Sequence, residues 1–197
     1  MKLKELAVPV GISNRHVHLS EEDIRKLFGE DAELTPVKDL GQPGQYAAAE
    51  KVILAGPKGC IEGVRVLGPA RKATQVELSR SDCFRLGVQP PVRDSGDHED
   101  SASLTIIGPK GTVSLERGVI LAKRHIHMRP EEAATLELKD KDIVAVYCEG
   151  DGTRRTVFKD VLVRVNDQYA LEFHVDLDEG NAAMLSNGDV VKIVEEL

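Results

Sequence analysis

Length, composition and charge are those of an ordinary globular protein. The chain has 197 residues, 41% hydrophobic and 30% charged, enough for one large domain or two small ones. A formal charge of −7 argues against a nucleic acid or an anionic membrane as partner, and no apolar run approaches the ~18 residues of a spanning helix. The N-terminal residues lack the apolar core of a secretory signal, and three separated cysteines, Cys60, Cys83 and Cys148, indicate reduced thiols. We therefore expect a cytoplasmic protein.

In chain order, most of the sequence is typical of short strands separated by turns rich in Gly, Pro and Asx. The predicted strands are Ala7–Ile12, Lys51–Ala55, Cys60–Leu67, Gln75–Leu78, Ser103–Ile107, Thr112–Leu115, Ile143–Cys148, Thr153–Val165 and Tyr169–His174. Short helices are predicted over Glu21–Phe28 after a Ser20 cap, from Pro130 onward, and over Asp176–Leu185. Many strands and few helices favour β-barrels or a sandwich over a doubly wound α/β fold.

Several turns have clear signals. Residues 149–152 (Glu-Gly-Asp-Gly) indicate a hairpin turn, and residues 166–168 (Asn-Asp-Gln) indicate another turn. The tetrapeptide Gly-Pro-Lys-Gly occurs at 56–59 and again at 108–111, each time between two predicted strands. This recurrence indicates a hairpin turn that is used twice. The repeat of the His-containing phrases, described next, predicts two related barrels.

A second repeat carries candidate metal ligands. Asn-Arg-His-Val-His at 14–18 returns as Lys-Arg-His-Ile-His at 123–127, and the two phrases hold four of the six histidines. Residues two apart on a strand point to the same side, so both imidazoles of each pair can reach one ion. A catalytic zinc site takes about three protein ligands and keeps one position open. His174, at the end of a predicted strand, and a carboxylate for the first pair are the remaining candidates.

Basic residues form a second cluster. Lys58, Arg65, Arg71 and Lys72 concentrate positive charge in an acidic protein, and the arginine fork suits phosphate. The same charges are also typical of a solvent-exposed strand–turn–strand segment without a binding role. The residues alone slightly favour this interpretation over a phosphate site. Glu77 alternates with apolar neighbours on a predicted strand, so it is either a ligand or an exposed side chain.

Three other classes of protein also use closely spaced histidines. A bicupin-like metal-binding β-barrel protein is the alternative, because Glu21 or Glu22 and Glu131 follow the His pairs at a cupin-like spacing. In cupins that Glu lies on a strand, whereas here Ser20 and Pro130 start helices. A non-enzymatic barrel with incidental histidines would contain no metal. An amidohydrolase (β/α)8 barrel needs about 250 residues, which this chain lacks.

Taken together, the motifs resemble those of the PduL-type phosphotransacylases, the phosphate propanoyltransferase family. The resemblance covers nearly the whole chain and rests on long, ordered motifs: Val10–Ser20, Val64–Glu77, Arg124–Met128 and His174. It implies a mainly β protein of two related β-barrel domains with short capping α-helices and an active site at the barrel interface. Residues 15–122 would form the central barrel, and 123–197 the C-terminal barrel, completed by the N-terminal strand 1–14.

The resemblance also implies a ligand set. Two zinc ions would be bound, one by His16, His18 and Glu77 and the other by His125, His127 and His174. Arg71 matches the family's phosphate-binding arginine. The positions that match coenzyme A contacts are Gly11, Ile12, Ser13, Lys58, Arg65 and Asn181.

The activity implied is reversible transfer of a short acyl group, acetyl or propanoyl, between coenzyme A and inorganic phosphate. Zinc lowers the pKa of a bound thiol, and Arg71 can orient phosphate, so direct attack in a ternary complex requires no Ser or Cys nucleophile. Few residues precede the first motif, so we expect no microcompartment-targeting extension. We expect acyl-CoA and phosphate as substrates, and a homo-oligomer, most simply a dimer.

Overall fold

The computed structural model describes residues 1–196, which are mainly β-structure as predicted. The strands are β1 (Lys2–Ser13), β2 (His16–Ser20), β3 (Pro36–Asp39), β4 (Tyr46–Gly56), β5 (Gly59–Arg71), β6 (Gln75–Glu77), β7 (Val92–Arg93), β8 (Ala102–Ile107), β9 (Thr112–Ala122), β10 (His125–Met128), β11 (Ile143–Cys148), β12 (Thr156–Val165), β13 (Glu172–Asp176) and β14 (Val190–Glu196). The helices are α1 (Glu21–Phe28), α2 (Arg80–Leu86), α3 (Pro130–Thr135) and α4 (Leu177–Ala182). None of the helices in the part of the chain described has the length and apolarity needed to cross a membrane.

The chain divides into two compact units. The terminal unit contains Met1–Ser13, Gly41–Pro43 and Lys123–Leu197, and the central unit contains Asn14–Leu40 and Gly44–Ala122. Residues 41–43 therefore belong to the terminal unit although they lie between two segments of the central one.

Each unit is built on a closed six-stranded barrel. In the central unit the order is β4-β5-β2-β6-β9-β8, and the ring closes because β8 pairs with both β9 and β4. In the terminal unit the order is β1-β13-β10-β12-β11-β14. The barrel of the central unit encloses buried apolar side chains that include Val17, Leu54, Val66, Val76 and Ile106. The barrel of the terminal unit encloses an equivalent set that includes Val8, Ile126, Val146, Val163 and Phe173.

The two barrels share one topology. The strand carrying the His pair, β2 or β10, runs parallel to one neighbour (β5 or β12) and antiparallel to the other (β6 or β13). The antiparallel neighbour then runs parallel to β9 or to β1. The remaining pairings also agree in sense. The prediction of two related barrels is therefore confirmed.

The helices that follow the His pairs begin where the sequence predicts. The Ser20 hydroxyl accepts a hydrogen bond from the Asp23 N–H at 3.2 Å, which caps α1, and Gly29 ends it at φ 117°. Pro130 occupies the first turn of α3. These starts carry Glu21, Glu22 and Glu131 onto exposed helix surfaces, which counts against a cupin-like role as ligands.

The repeated Gly-Pro-Lys-Gly segments are hairpin turns, as predicted, and each contacts the end of a helix. The backbone N–H of Lys58 donates to the carbonyl of Leu86, and that of Lys110 donates to the carbonyl of Leu27, each at 3.0 Å. A Cβ at Gly56 or Gly108 would overlap the same carbonyl oxygens. Glycine is therefore required at the first position of both turns for a close approach to the helix.

Some predicted boundaries were wrong. Strand β12 begins at Thr156 rather than Thr153, because Asp151 accepts hydrogen bonds from the N–H and hydroxyl of Thr153 and extends the turn. Strand β13 begins at Glu172 rather than Tyr169, whose N–H closes the preceding turn on Asn166. Helix α4 is shorter than predicted, and α2, β2, β3, β7, β10 and β14 are not among the predicted elements.

Candidate metal centres

The central barrel brings His16, His18 and Glu77 together. In the antiparallel pair β2/β6, His16 lies opposite Glu77. The Nε2 atoms of His16 and His18 lie 3.4 and 3.9 Å from the carboxylate oxygens of Glu77. Within residues 1–196 this is the one group of three whose candidate ligand atoms all lie within 4.8 Å of one another. We call these residues the central trio.

Hydrogen bonding at the two imidazoles suits metal ligation. Nδ1 of His16 lies 2.8 Å from the carbonyl oxygen of Asn14. Because a carbonyl can only accept, Nδ1 donates and Nε2 keeps its lone pair. Nδ1 of His18 is buried and makes no hydrogen bond of adequate distance and angle among the residues described, although the nearby Leu67 backbone favours a proton on this ring. Buried polar atoms normally have a partner. Two imidazoles and one carboxylate therefore fit a catalytic zinc site, which takes three protein ligands and keeps one open position.

Electrostatics keep the central trio ready for a cation. Burial lowers the pKa of His18 to about 2, helped by the charges of His16 and Arg71, so the ring is neutral at physiological pH. Burial alone would raise the pKa of Glu77, but His16, His18 and Arg71 outweigh it and hold the carboxylate ionised. Burial lowers the pKa of His16, but the adjacent Glu77 carboxylate raises it overall, because the carboxylate stabilises positive charge at this ring.

A hydrogen-bond network links Glu77 to Arg71. The side-chain amide of Gln75 donates to Glu77 Oε1 at 2.7 Å and to Ser95 Oγ at 2.9 Å. Ser95 Oγ in turn donates to Glu77 Oε1 at 3.2 Å and accepts from Nη1 of Arg71 at 3.0 Å. The candidate phosphate-binding arginine is therefore held beside the candidate metal ligands.

The polar loop that supplies Ser95 is fixed by Gln75. Its side-chain oxygen accepts from the Gly96 N–H at 2.7 Å and lies 3.0 Å from Nε2 of His98. Gln75 is buried, so these contacts replace its hydration. The sequence analysis assigned no role to Gln75 or to this loop. Gln75 could have been identified as a partner of Glu77 from its position two residues earlier, which places both side chains on the same face of a strand.

The terminal barrel brings His125, His127 and His174 together; we call them the terminal trio. His125 lies opposite His174 in the β10/β13 pair, and the three ring centroids are 4.6–5.2 Å apart. Nδ1 of His125 donates to the Lys123 carbonyl at 2.8 Å, as His16 does to Asn14. Nδ1 of His127 is buried and lacks a hydrogen-bond partner within the described residues. Three imidazoles are a donor set that zinc accepts, but within residues 1–196 the close spacing of candidate ligand atoms is found only in the central trio.

The neighbours of the terminal trio differ from those of the central trio. Burial, with the charges of His125, His174 and Arg164, lowers the pKa of His127 to about 2. Nε2 of His174 lies 2.6 Å from a carboxylate oxygen of Glu172. The ring of Tyr169 lies 4.3 Å from that of His127.

An arginine precedes each His pair, and the sequence analysis assigned it no role. Arg15 Nε lies 2.7 Å from Asp82, and Arg124 Nε lies 3.2 Å from Glu179. Both acids occupy the third position of a helix whose first turn has a capping box, α2 after Glu77 and α4 after His174. Each arginine therefore ties the His strand to the helix that follows the third candidate ligand.

The candidate coenzyme A contacts are distributed over both units. In the terminal unit, Ile12 lies against Gly180 of α4, the helix that also carries the exposed Asn181. Gly11 and Ser13 lie beside it on β1, opposite His174 and Asp176 of β13. In the central unit, Lys58 is exposed, whereas Nη1 of Arg65 donates to the Ala48 carbonyl at 2.7 Å.

Comparison with known proteins identifies the family of the chain. The family model described as phosphate propanoyltransferase matches residues 9–186. The chain is 65% identical to the phosphate propanoyltransferase of Thermotoga maritima, over 98% of this chain and 91% of that protein. It is 54% identical to the phosphate propanoyltransferase of Rhodobacter capsulatus (94% and 86% covered) and 52% identical to that of Rhodopseudomonas palustris (96% and 83%). The chain therefore belongs to the phosphate propanoyltransferase family.

Proposed function

We propose that the protein catalyses reversible transfer of a short acyl group, acetyl or propanoyl, between coenzyme A and inorganic phosphate at a zinc-dependent site. Membership of the family supports acyl transfer to phosphate. The observation that carries the zinc proposal is the central trio, two buried imidazoles and a carboxylate with Arg71 linked to them through Ser95. These residues offer both a cation site and an anion-binding fork.

Two zinc ions per chain would be held, one by each trio. An ion held by the central trio would supply a Lewis acid that accepts the coenzyme A sulfur as a ligand and so lowers the pKa of the thiol. Nδ1 of His16 and of His125 is engaged by a backbone carbonyl, so Nε2 is the nitrogen each ring offers. Glu77 brings a negative charge that lowers the net charge of a divalent ion in the central trio.

Arg71 would bind the phosphate substrate. Its guanidinium contacts Ser95 through one nitrogen, which restricts its orientation, and the fork of an arginine matches two phosphate oxygens. An oxygen of the held phosphate attacks the acyl carbon, the carbon–sulfur bond breaks, and its electron pair leaves on the sulfur. Acyl phosphate and the coenzyme A thiolate result, and the reverse reaction uses the same contacts. No enzyme nucleophile is acylated.

The coenzyme A contacts rest on motif position. Ile12, Ser13 and Asn181 in the terminal unit, and Lys58 in the central unit, are partly or fully exposed and able to meet a ligand. Gly11 is buried, so only its backbone could contribute. Arg65 already holds the backbone of β4, so it would contact coenzyme A through its other N–H groups.

Metal analysis tests the proposal. The purified protein should contain about two zinc equivalents, and His16→Ala and His125→Ala should each remove about one while lowering acyl-CoA:phosphate exchange. Glu21→Gln and Glu131→Gln are the matched controls, because both acids follow a His pair but lie exposed on helices. Loss of zinc in these controls would favour the cupin-like alternative, and a metal-free protein with full activity would refute the proposal.

A further inference from the structure

Glu172 is a half-buried carboxylate placed against the terminal trio. It lies on β13 two residues before His174, and its Oε2 is 2.6 Å from Nε2 of that ring. A carboxylate of this kind commonly orients a metal-binding histidine by accepting a hydrogen bond from its second ring nitrogen. Neither the sequence motifs nor the family positions assign Glu172 a role.

Gln42 holds Glu172 in place. Its side-chain amide donates to Glu172 Oε2 at 2.9 Å and to the Ala170 carbonyl at 3.0 Å, while its oxygen accepts from the Ala170 N–H at 3.2 Å. Gln42 is 4% exposed, so water cannot replace these bonds. Its short segment, 41–43, belongs to the terminal unit although the flanking residues belong to the central one.

Two glycines leave the space that the carboxylate occupies. A Cβ at Gly11 or at Gly41 would lie 2.5 Å from Oε1 of Glu172. Neither glycine has a positive φ that would by itself require glycine. Close approach to the carboxylate therefore explains both residues, and it restricts Glu172 to the position beside His174.

The central barrel has an equivalent arrangement in which the hydrogen-bond donor and acceptor are exchanged. Gln75 lies opposite His18, and Glu172 lies opposite His127, so the two residues share one register position. Gln75 donates to the carboxylate of Glu77, the third candidate ligand there. In the terminal barrel the third candidate ligand is an imidazole, and its partner is a carboxylate that accepts. Each third ligand thus has a partner of matching chemistry two residues earlier.

We infer that Glu172, fixed by Gln42, is a positioning residue that accepts a hydrogen bond from Nε2 of His174 and leaves Nδ1 of that ring to bind the ion of the terminal trio. The inference rests on the proposed function, because it presupposes an ion at this trio. Glu172 itself stays outside the coordination shell. Because outer-shell partners of this kind affect metal affinity by about 10–100-fold, removing the carboxylate should have an effect of that size.

Zinc competition with a chelator provides the first test. Glu172→Gln should weaken zinc binding at the terminal trio by about 10–100-fold, and Gln42→Ala should act in the same direction. The central trio should keep its affinity in both variants, and the exposed Glu131→Gln is the matched control. Thermal unfolding of the zinc-free variants separates loss of affinity from loss of fold.

Nitrogen-15 spectroscopy provides the second test, with a readout independent of activity. In the zinc-loaded, histidine-labelled protein, His174 should show a protonated Nε2 and a metal-bound Nδ1, with His174→Gln giving the assignment. A metal-bound Nε2, or unchanged zinc affinity in Glu172→Gln, would overturn the inference and leave the proposed function intact. If His125→Ala removes no zinc, the second ion of the proposed function and the inference both fail.

Discussion

Glu77 and His174 occupy equivalent positions in the two barrels. Glu77 lies opposite His16 on β6, and His174 lies opposite His125 on β13. A divalent ion bound by the central trio would carry less net charge than one bound by three neutral imidazoles. The terminal trio should therefore attract anions more strongly, and the central trio should bind a thiolate without holding it too tightly.

The first prediction concerns Arg71. Arg71→Lys keeps the positive charge but loses the fork, so the KM for phosphate should rise about tenfold while the KM for acyl-CoA changes little. Initial rates with each substrate varied in turn measure the difference. Lys72→Ala, at the exposed neighbouring position, is the control. Equal increases in both KM values would assign Arg71 to general folding or to coenzyme A.

The second prediction concerns Gln75. Gln75→Leu removes the donor to Glu77 and the acceptor for the Gly96 N–H, so the carboxylate loses its orientation and the loop its anchor. Zinc affinity at the central trio should fall about tenfold or more, and the loop should become more sensitive to proteolysis. The terminal trio is the internal control. Unchanged zinc affinity would show that Gln75 anchors the loop without supporting Glu77.

The third prediction concerns Arg15 and its partner Asp82, whose side chain is 6% exposed. Arg15→Ala leaves this carboxylate without its charged partner and should lower the free energy of unfolding by about 1–3 kcal/mol. Arg124→Ala should cost less, because Glu179 is 23% exposed and water can replace the lost bond. Denaturant unfolding of the zinc-free proteins measures both. A larger loss in Arg124→Ala would contradict the assignment.

The features that the sequence predicts well are local ones. The His pairs, the Ser20 cap and the repeated hairpins each depend on a few consecutive residues, and the structure has them where the motifs lie. Helix α2 was missed because its capping box uses Asp82 at the third position, where Glu or Gln is the usual signal. A helix of 7 residues is also too short to show a clear hydrophobic period, so no other signal compensated for the unusual capping box.

Contacts between distant residues could not be predicted. Gln42 and Glu172 are 130 positions apart, and neither residue has a local motif. Gln75 and Ser95 likewise meet only because a loop folds back over β6. The spacing within each His pair indicates that an ion can bind. The residues that hold the third candidate ligand in place become visible only when the strands are paired.

The last prediction concerns the three cysteines, because an acyl-enzyme would need one of them. Cys60 is exposed, whereas Cys83 and Cys148 are buried, and burial raises the pKa of the Cys148 thiol to about 12. An alkylating reagent should label Cys60 in the folded protein and leave Cys148 unlabelled even at pH 9, because the reactive thiolate forms only well above that pH. Labelling after denaturation should reach all three, and mass spectrometry measures the pattern.

Catalysis should be independent of these thiols. A Cys60→Ser variant, and then a variant with all three cysteines replaced by Ser or Ala, should keep substantial activity, provided that thermal unfolding shows an intact fold. Direct attack requires phosphate and acyl-CoA to be bound together, so initial-rate lines should intersect rather than run parallel. An acyl-cysteine that disappears on addition of phosphate would refute direct transfer. The residues around the two trios would then have to activate a cysteine thiol. Cys148 is poorly suited to that role, because it is buried and its raised pKa keeps the thiol protonated.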